Sequence, residues 1–216
     1  MTIHIISYPP GGGGNHLKNL CCLNGRFKDQ WPWAWVKEQS VGLRPYYQPA
    51  GPQGEVHSLP GRNIHEVFVQ HISDNLTGDY LLHGHFGELA AYAADIRQWA
   101  HVRWLVETMD DQLDRDNLRA RQQRLQYHPY WLDEEMIYLY RPEMYTKYFG
   151  ADPDHITCIS VSQVWDRDLV ISGMARNLAV AFGVQLPMPQ AQDLHDRWCE
   201  LNFPAGYDLK PSDLVL

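Results

Sequence analysis

Two short segments of this chain carry residue types that could do chemistry. The first is Ser7-Tyr8-Pro9-Pro10-Gly11-Gly12-Gly13-Gly14-Asn15-His16-Leu17-Lys18. Glycine accepts positive φ and leaves backbone N–H groups uncovered. Four glycines ahead of a helix therefore make a cradle in which N–H groups and the helix dipole favour an anion such as phosphate or sulfate. On this reading Pro10, Gly11, Gly12, Gly13, Gly14, Asn15, His16 and Lys18 form the binding set. The alternative is a plain strand-to-helix turn, which must justify a chain-entropy cost of about 0.5–1 kcal/mol per glycine. The second segment is His83-Gly84-His85. An imidazole titrates near neutral pH and can take the proton of an attacking hydroxyl or amine. His85 is the first candidate for that base and His83 the second; the alternative is two polar residues at a strand end. A His-x-His pair also suggests a metal, but no carboxylate or further His stands at a convincing ligand spacing, so no metal is expected.

These residues need elements to position them. Ile3 to Tyr8 is a β-branched run ahead of the Pro and Gly punctuation. Leu17, Leu20, Cys21 and Leu23 then fall at helical spacing, and Asn24-Gly25 can close that helix. The order is strand, glycine turn, helix. Further strands are expected at Tyr80 to His83, Val102 to Val106 and His155 to Val161. Helices are expected at Asn63 to Leu76, Leu89 to Trp99, Met109 to Arg124, His128 to Tyr148, Leu169 to Phe182 and Ala191 to Leu201. Asp166 or Asp168 can cap the start of the helix that Gly183 ends. Trp31, Trp33 and Trp35 alternate, and Pro45 to Pro60 reads as an excursion rich in Pro, Gly and Gln. Strands alternating with helices predict a three-layer α/β sandwich with a mainly parallel central sheet. The strand Ile3 to Ser7 belongs near the middle, because ligands sit at the carboxyl ends of central strands.

Composition bounds the function. The 216 residues suit one domain over 1–216 with a substantial core. A hydrophobic fraction of 44% is that of a globular protein, and the formal charge of −8 argues against broad binding to nucleic acid or anionic membranes. Cys21, Cys22, Cys158 and Cys199 include no CxxC pair and read as thiols in a reducing compartment. No charged leader with an apolar run and no stretch of about 20 apolar residues is seen, so the chain is expected in a cytoplasm.

The glycine segment resembles the opening of the sulfotransferase superfamily. That family's first strand ends in Tyr-Pro-Lys-Ser-Gly-Thr-Thr-Trp-Leu and wraps the 5′-phosphate of 3′-phosphoadenosine 5′-phosphosulfate. Here Tyr8-Pro9, a small-residue turn and Leu17 follow the same outline, with Gly11 or Pro10 where the family has its Lys. The run Leu81-Leu82-His83-Gly84-His85-Phe86 is similar to the family's Lys-Thr-His-Leu-Pro segment, where a strand ends on the catalytic His. A third likeness runs from Ile156-Thr157-Cys158-Ile159-Ser160 through Trp165-Asp166-Arg167-Asp168 to Phe182-Gly183-Val184. At the 3′-phosphate site the chain departs: Glu107-Thr108-Met109-Asp110-Asp111 stands where an Arg is expected, and Arg115, Arg119 and Arg121 lie further on. The short Gly-Gly-Asn form resembles sulfotransferase-like proteins of phages and marine bacteria.

The resemblance implies a P-loop-type fold, 3′-phosphoadenosine 5′-phosphosulfate as cofactor and a small-molecule or glycan acceptor. It equally admits a non-catalytic phage structural or assembly protein that kept the fold, with a homo-oligomer or virion partner. The aromatics Trp31, Trp33, Trp35, Tyr46, Tyr47, Tyr130 and Trp131 suit an acceptor pocket or an interface. A nucleotide kinase is the third reading, and it lacks the Gly-Lys-Ser/Thr ending that holds phosphate and magnesium.

Overall fold

The structure, a computed structural model, describes residues 2–23, 79–109, 111–124, 134–165 and 170–202. The alternating tryptophans, the 45–60 segment, the expected helix 63–76 and the Asp166 and Asp168 caps lie outside these residues.

The strand β1 (Thr2–Ser7) pairs in parallel with β2 (Asp79–Gly84) on one side and β3 (Val102–Thr108) on the other. The strand β4 (Ile156–Ser160) pairs in parallel with β3, giving the order β2-β1-β3-β4. The described residues form an α/β fold with a four-stranded, all-parallel sheet flanked by helices. Such strands read as continuous apolar runs because both of their faces are covered. Ile3, Ile5 and Ile6 of β1 and Trp104, Leu105 and Val106 of β3 are all fully buried.

Side-chain alternation assigns the helices to faces. Ile5 and Ser7 share a face with Trp104, which is Ile5's partner in the register. There α6 (Pro142–Phe149) packs, with Tyr145 and Phe149 against Trp104 at ring distances of 5.1 and 4.9 Å. The Tyr145 hydroxyl donates to Ser7 Oγ at 2.7 Å. On the opposite face His4 meets Phe182 edge-on, 5.1 Å away, which brings α8 (Val170–Phe182) onto the sheet. The helix α1 (Gly14–Cys22) follows the glycine turn and packs against β1, β2 and α9 (Met188–Asn202).

Several expected elements take a different form. The stretch 89–99 folds as two short helices, α2 (Phe86–Ala90) and α3 (Ala93–Ile96). Tight turns, with Tyr92 N–H donating to Leu89 and Trp99 N–H to Ile96, keep Leu89, Ile96 and Trp99 buried without one continuous helix. The strand β3 runs on through Glu107 and Thr108, so α4 (Gln112–Arg124) starts later than expected, with Asp111 Oδ1 accepting the Asp114 N–H. The helical region before residue 150 divides into α5 (Glu134–Leu139) and α6. Pro142 explains the break, since it lacks an N–H and holds Arg141 extended at φ −88° and ψ 143°. Finally, β4 stops at Ser160 because a reciprocal cap begins α7 (Val161–Trp165) there. Ser160 Oγ accepts the Gln163 N–H, and Gln163 Oε1 accepts the Ser160 N–H.

Candidate functional site

The connection from β1 leads to one neighbour, β2, and the chain then passes to the other neighbour, β3. The order therefore reverses between β1 and β3, and the carboxyl ends of those strands flank the crevice where open α/β sheets bind ligands. Ser7 is level with Gly84 on one side and Val106 on the other. Tyr8, His85 and Glu107, each one residue further on, thus lie side by side at one edge of the sheet.

Each of the four glycines has its own reason there. Gly12 N–H donates to the Pro9 carbonyl at 2.8 Å, closing a turn with Pro10 second and Gly11 third at φ +84°. That is the order and sign of a type II turn, which needs glycine in third place. Gln122 of α4 donates its amide to the Pro10 carbonyl from below. A Cβ on Gly12 would stand 2.6 Å from Glu107 Oε2, one on Gly13 would stand 2.2 Å from Val164 Cγ1, and one on Gly14 would stand 1.9 Å from Tyr8 Cδ1. The turn is thus packed on four sides by side chains of the chain itself.

The turn also holds a carboxyl group. Gly13 N–H forks to both carboxylate oxygens of Glu107, at 3.0 and 2.9 Å. Glu107 is fully buried. Burying a carboxylate is costly unless hydrogen bonds replace its hydration, and an N–H···carboxylate bond contributes about 1.5–3 kcal/mol. From the sequence Glu107 reads only as an acidic residue where Arg was expected. The signal that could have found it is a carboxylate ending the apolar run Trp104-Leu105-Val106 beside the glycine strand.

Tyr8 joins both histidines to the turn. Its ring packs where a Gly14 Cβ would be, lies 4.7 Å from the His85 ring and stacks on the His83 ring at 5.9 Å. Its hydroxyl shares a hydrogen bond with His83 Nδ1 at 3.2 Å. The Tyr8 carbonyl faces His85 Nδ1 at 2.9 Å. A carbonyl only accepts, so in the tautomer that satisfies this contact Nδ1 donates and Nε2 of the neutral ring keeps its lone pair. Glu88 accepts the His85 N–H at 3.0 Å and holds the backbone on which the ring sits. His85 is half-buried, whereas His83 is buried.

The remaining residues of the expected binding set lie elsewhere in the packing. His16 is buried in the contact between α1 and α9. It stacks on Trp198 at 4.4 Å and shares a hydrogen bond with His195 Nδ1 at 3.0 Å, and His195 Nε2 in turn faces Cys199 Sγ at 3.6 Å. Lys18 is buried in the body of α1, close enough for its charge to act on Cys21. Asn15 lies in the first turn of α1. At the end of β3, Arg115 donates to the Met109 carbonyl and Arg119 pairs with Asp116 on the exposed face of α4. Tyr140 closes the floor: its hydroxyl accepts the Phe86 N–H at 3.2 Å. Burial pushes its phenol well up, and the negative charges of Glu88 and Glu107 push the same way.

No protein-family model matches this chain, and neither a curated protein nor a solved structure matches it. Among the described residues, no helix is long and apolar enough to cross a membrane.

Proposed function

We propose that this chain is a sulfotransferase-like domain, a three-layer P-loop-type sandwich. On this reading it binds the phosphosulfate end of 3′-phosphoadenosine 5′-phosphosulfate at the glycine turn and directs a sulfuryl group onto a hydroxyl or amine of a small-molecule or glycan acceptor. The observation that carries this reading is the meeting of the glycine turn and His85 at the switch point of a parallel sheet. Gly13 N–H there already serves two oxygens of an anionic group, which stand in for the oxygens of a phosphate or sulfate. The donor supplies an activated sulfuryl group whose sulfur–oxygen bond to the 5′-phosphate breaks as the acceptor–sulfur bond forms. The chain's own residues supply the rest. Gly13 N–H and the amino end of α1 favour negative charge at the turn. His85 takes the acceptor's proton on Nε2, because Nδ1–H is committed to the Tyr8 carbonyl.

Calorimetric titration with adenosine 3′,5′-bisphosphate, run beside ATP–magnesium, tests the reading. Saturable binding of the bisphosphate with none of ATP–magnesium supports it. Binding of neither removes it and leaves the second reading, a non-catalytic structural or assembly protein that retains the fold. The observation favouring that second reading is the Glu107 carboxylate, which satisfies the turn from within.

A further inference from the structure

We propose that Glu107 is a built-in competitor for the glycine turn, an autoinhibitory contact that must leave Gly13 N–H before an anionic ligand binds there. The inference rests on the reading of the turn as an anion site.

The geometry is that of a ligand already seated. Both Glu107 oxygens lie within 3.0 Å of Gly13 N, and the carboxylate is shut off from solvent. Gly12 admits it: a side chain there would begin 2.6 Å from Oε2, so only glycine allows this approach. Gly13 offers one N–H, already shared between the two Glu107 oxygens, so an oxygen of an incoming anion can bond it only where the carboxylate has moved away. The contact is therefore exclusive, and an incoming anion and Glu107 compete for one donor.

The backbone that carries Glu107 stays where it is. Glu107 and Thr108 are level with Ile159 and Ser160 in the β3–β4 pairing, and Thr108 is buried. Release consequently requires rotation of one side chain, with no shift of a strand. The turn is fixed as well, by the Pro9–Gly12 bond and by Gln122 on Pro10. The Glu107 carboxylate, carried by one fixed element and seated on another, is a gate whose closed position is the observed one.

The test compares the parent, Glu107→Gln and Glu143→Gln by calorimetry with sodium sulfate and with adenosine 3′,5′-bisphosphate. In Glu107→Gln the amide keeps the volume of the carboxylate but not its charge. Glu107→Gln is expected to bind sulfate at least about tenfold more tightly than the parent. Glu143→Gln, at an exposed residue of α6, makes the same change in net charge and is expected to bind sulfate as the parent does. An equal gain in both variants, or no gain in a folded Glu107→Gln, overturns the proposal. A gain for sulfate with no binding of the bisphosphate to any of the proteins keeps the competitor and removes the sulfotransferase reading. Bisphosphate bound equally by parent and Glu107→Gln does the reverse. A measurement on the parent decides the matter if Glu107→Gln fails to fold: saturating sulfate should shift the Gly13 amide and the Glu107 carboxyl-carbon resonances together. Movement of Gly13 with Glu107 unmoved, or movement of neither, overturns the proposal.

Discussion

Replacing Gly14 by Ala probes the centre of the site with one methyl group. That Cβ would lie 1.9, 2.1 and 2.2 Å from three ring carbons of Tyr8. Carbon atoms in contact rest about 3.5–4 Å apart, so the ring must withdraw by roughly 1.5 Å or more. Overpacking of this kind costs about 1–3 kcal/mol. Withdrawal also breaks the Tyr8–His83 hydrogen bond, worth about 0.5–1.5 kcal/mol. The helix propensity gained by exchanging Gly for Ala returns at most about 1 kcal/mol. The net expectation is a loss of about 2 kcal/mol, which for a chain of this size lowers Tm by about 4–8 °C. Urea and thermal unfolding of the parent, Gly14→Ala, Tyr8→Ala and the double variant measure it. Removing the ring makes room for the methyl, so the substitution should cost less than about 0.5 kcal/mol in the Tyr8→Ala background. A cost that is the same in both backgrounds, or negligible in the parent, would refute the packing account of the glycine run. An open cradle with uncovered N–H groups leads to the opposite outcome, a variant as stable as the parent.

Three further outcomes are expected. Burial, then the neighbouring Cys22, hold the Cys21 thiol well above its usual value against the pull of Lys18; alkylation followed by mass spectrometry should therefore modify exposed Cys158 first and leave buried Cys21 and Cys199 until unfolding. Gly150, at φ +66° with no near neighbour for a Cβ except Arg97 Cγ at 3.8 Å, should cost about 1–2 kcal/mol when changed to Ala, read in urea unfolding; a smaller loss would mean that the α6 terminus can leave the left-handed region. Burial holds the Asp114 carboxyl above its ordinary 3.8, against the hydrogen bonds from Ser162 that favour charge. The folded state then keeps that proton more tightly, so Asp114 stabilises most in acid, and this contribution is lost as pH rises through the raised native value. Asp114→Asn, which keeps an acceptor for Ser162 N–H, should flatten that decline as pH rises above 3.8, and an unchanged slope would contradict it.

The frame was legible because its signals are local. A β-branched run, a glycine turn and an apolar helical stripe identify β1 and α1, and apolar runs identify the three other strands. Two element boundaries lay in plain residues: Pro142 divides α5 from α6, and the Ser160…Gln163 pair turns the chain out of β4. The site was less legible because its decisive contacts join residues far apart in the chain. Glu107 reaches Gly13 across 94 positions, and the Tyr8 carbonyl orients His85 across 77. Sequence also counted four glycines as exposed donors, whereas Gln122, Glu107, Val164 and Tyr8 fill the space beside them. His16 read as a neighbour of the turn, yet a helical position two residues past Gly14 points its ring into α9, where His195 and Trp198 receive it.

The most direct test of the anion site is the Gly13 amide itself. Its cross-peak in an amide-resolved NMR spectrum can be followed while adenosine 3′,5′-bisphosphate is added to the parent protein, with ATP–magnesium in a parallel titration. A saturable shift of Gly13, accompanied by His85, is expected with the bisphosphate and none with ATP–magnesium. A Gly13 peak that stays in place at millimolar bisphosphate, still held by Glu107, would contradict it.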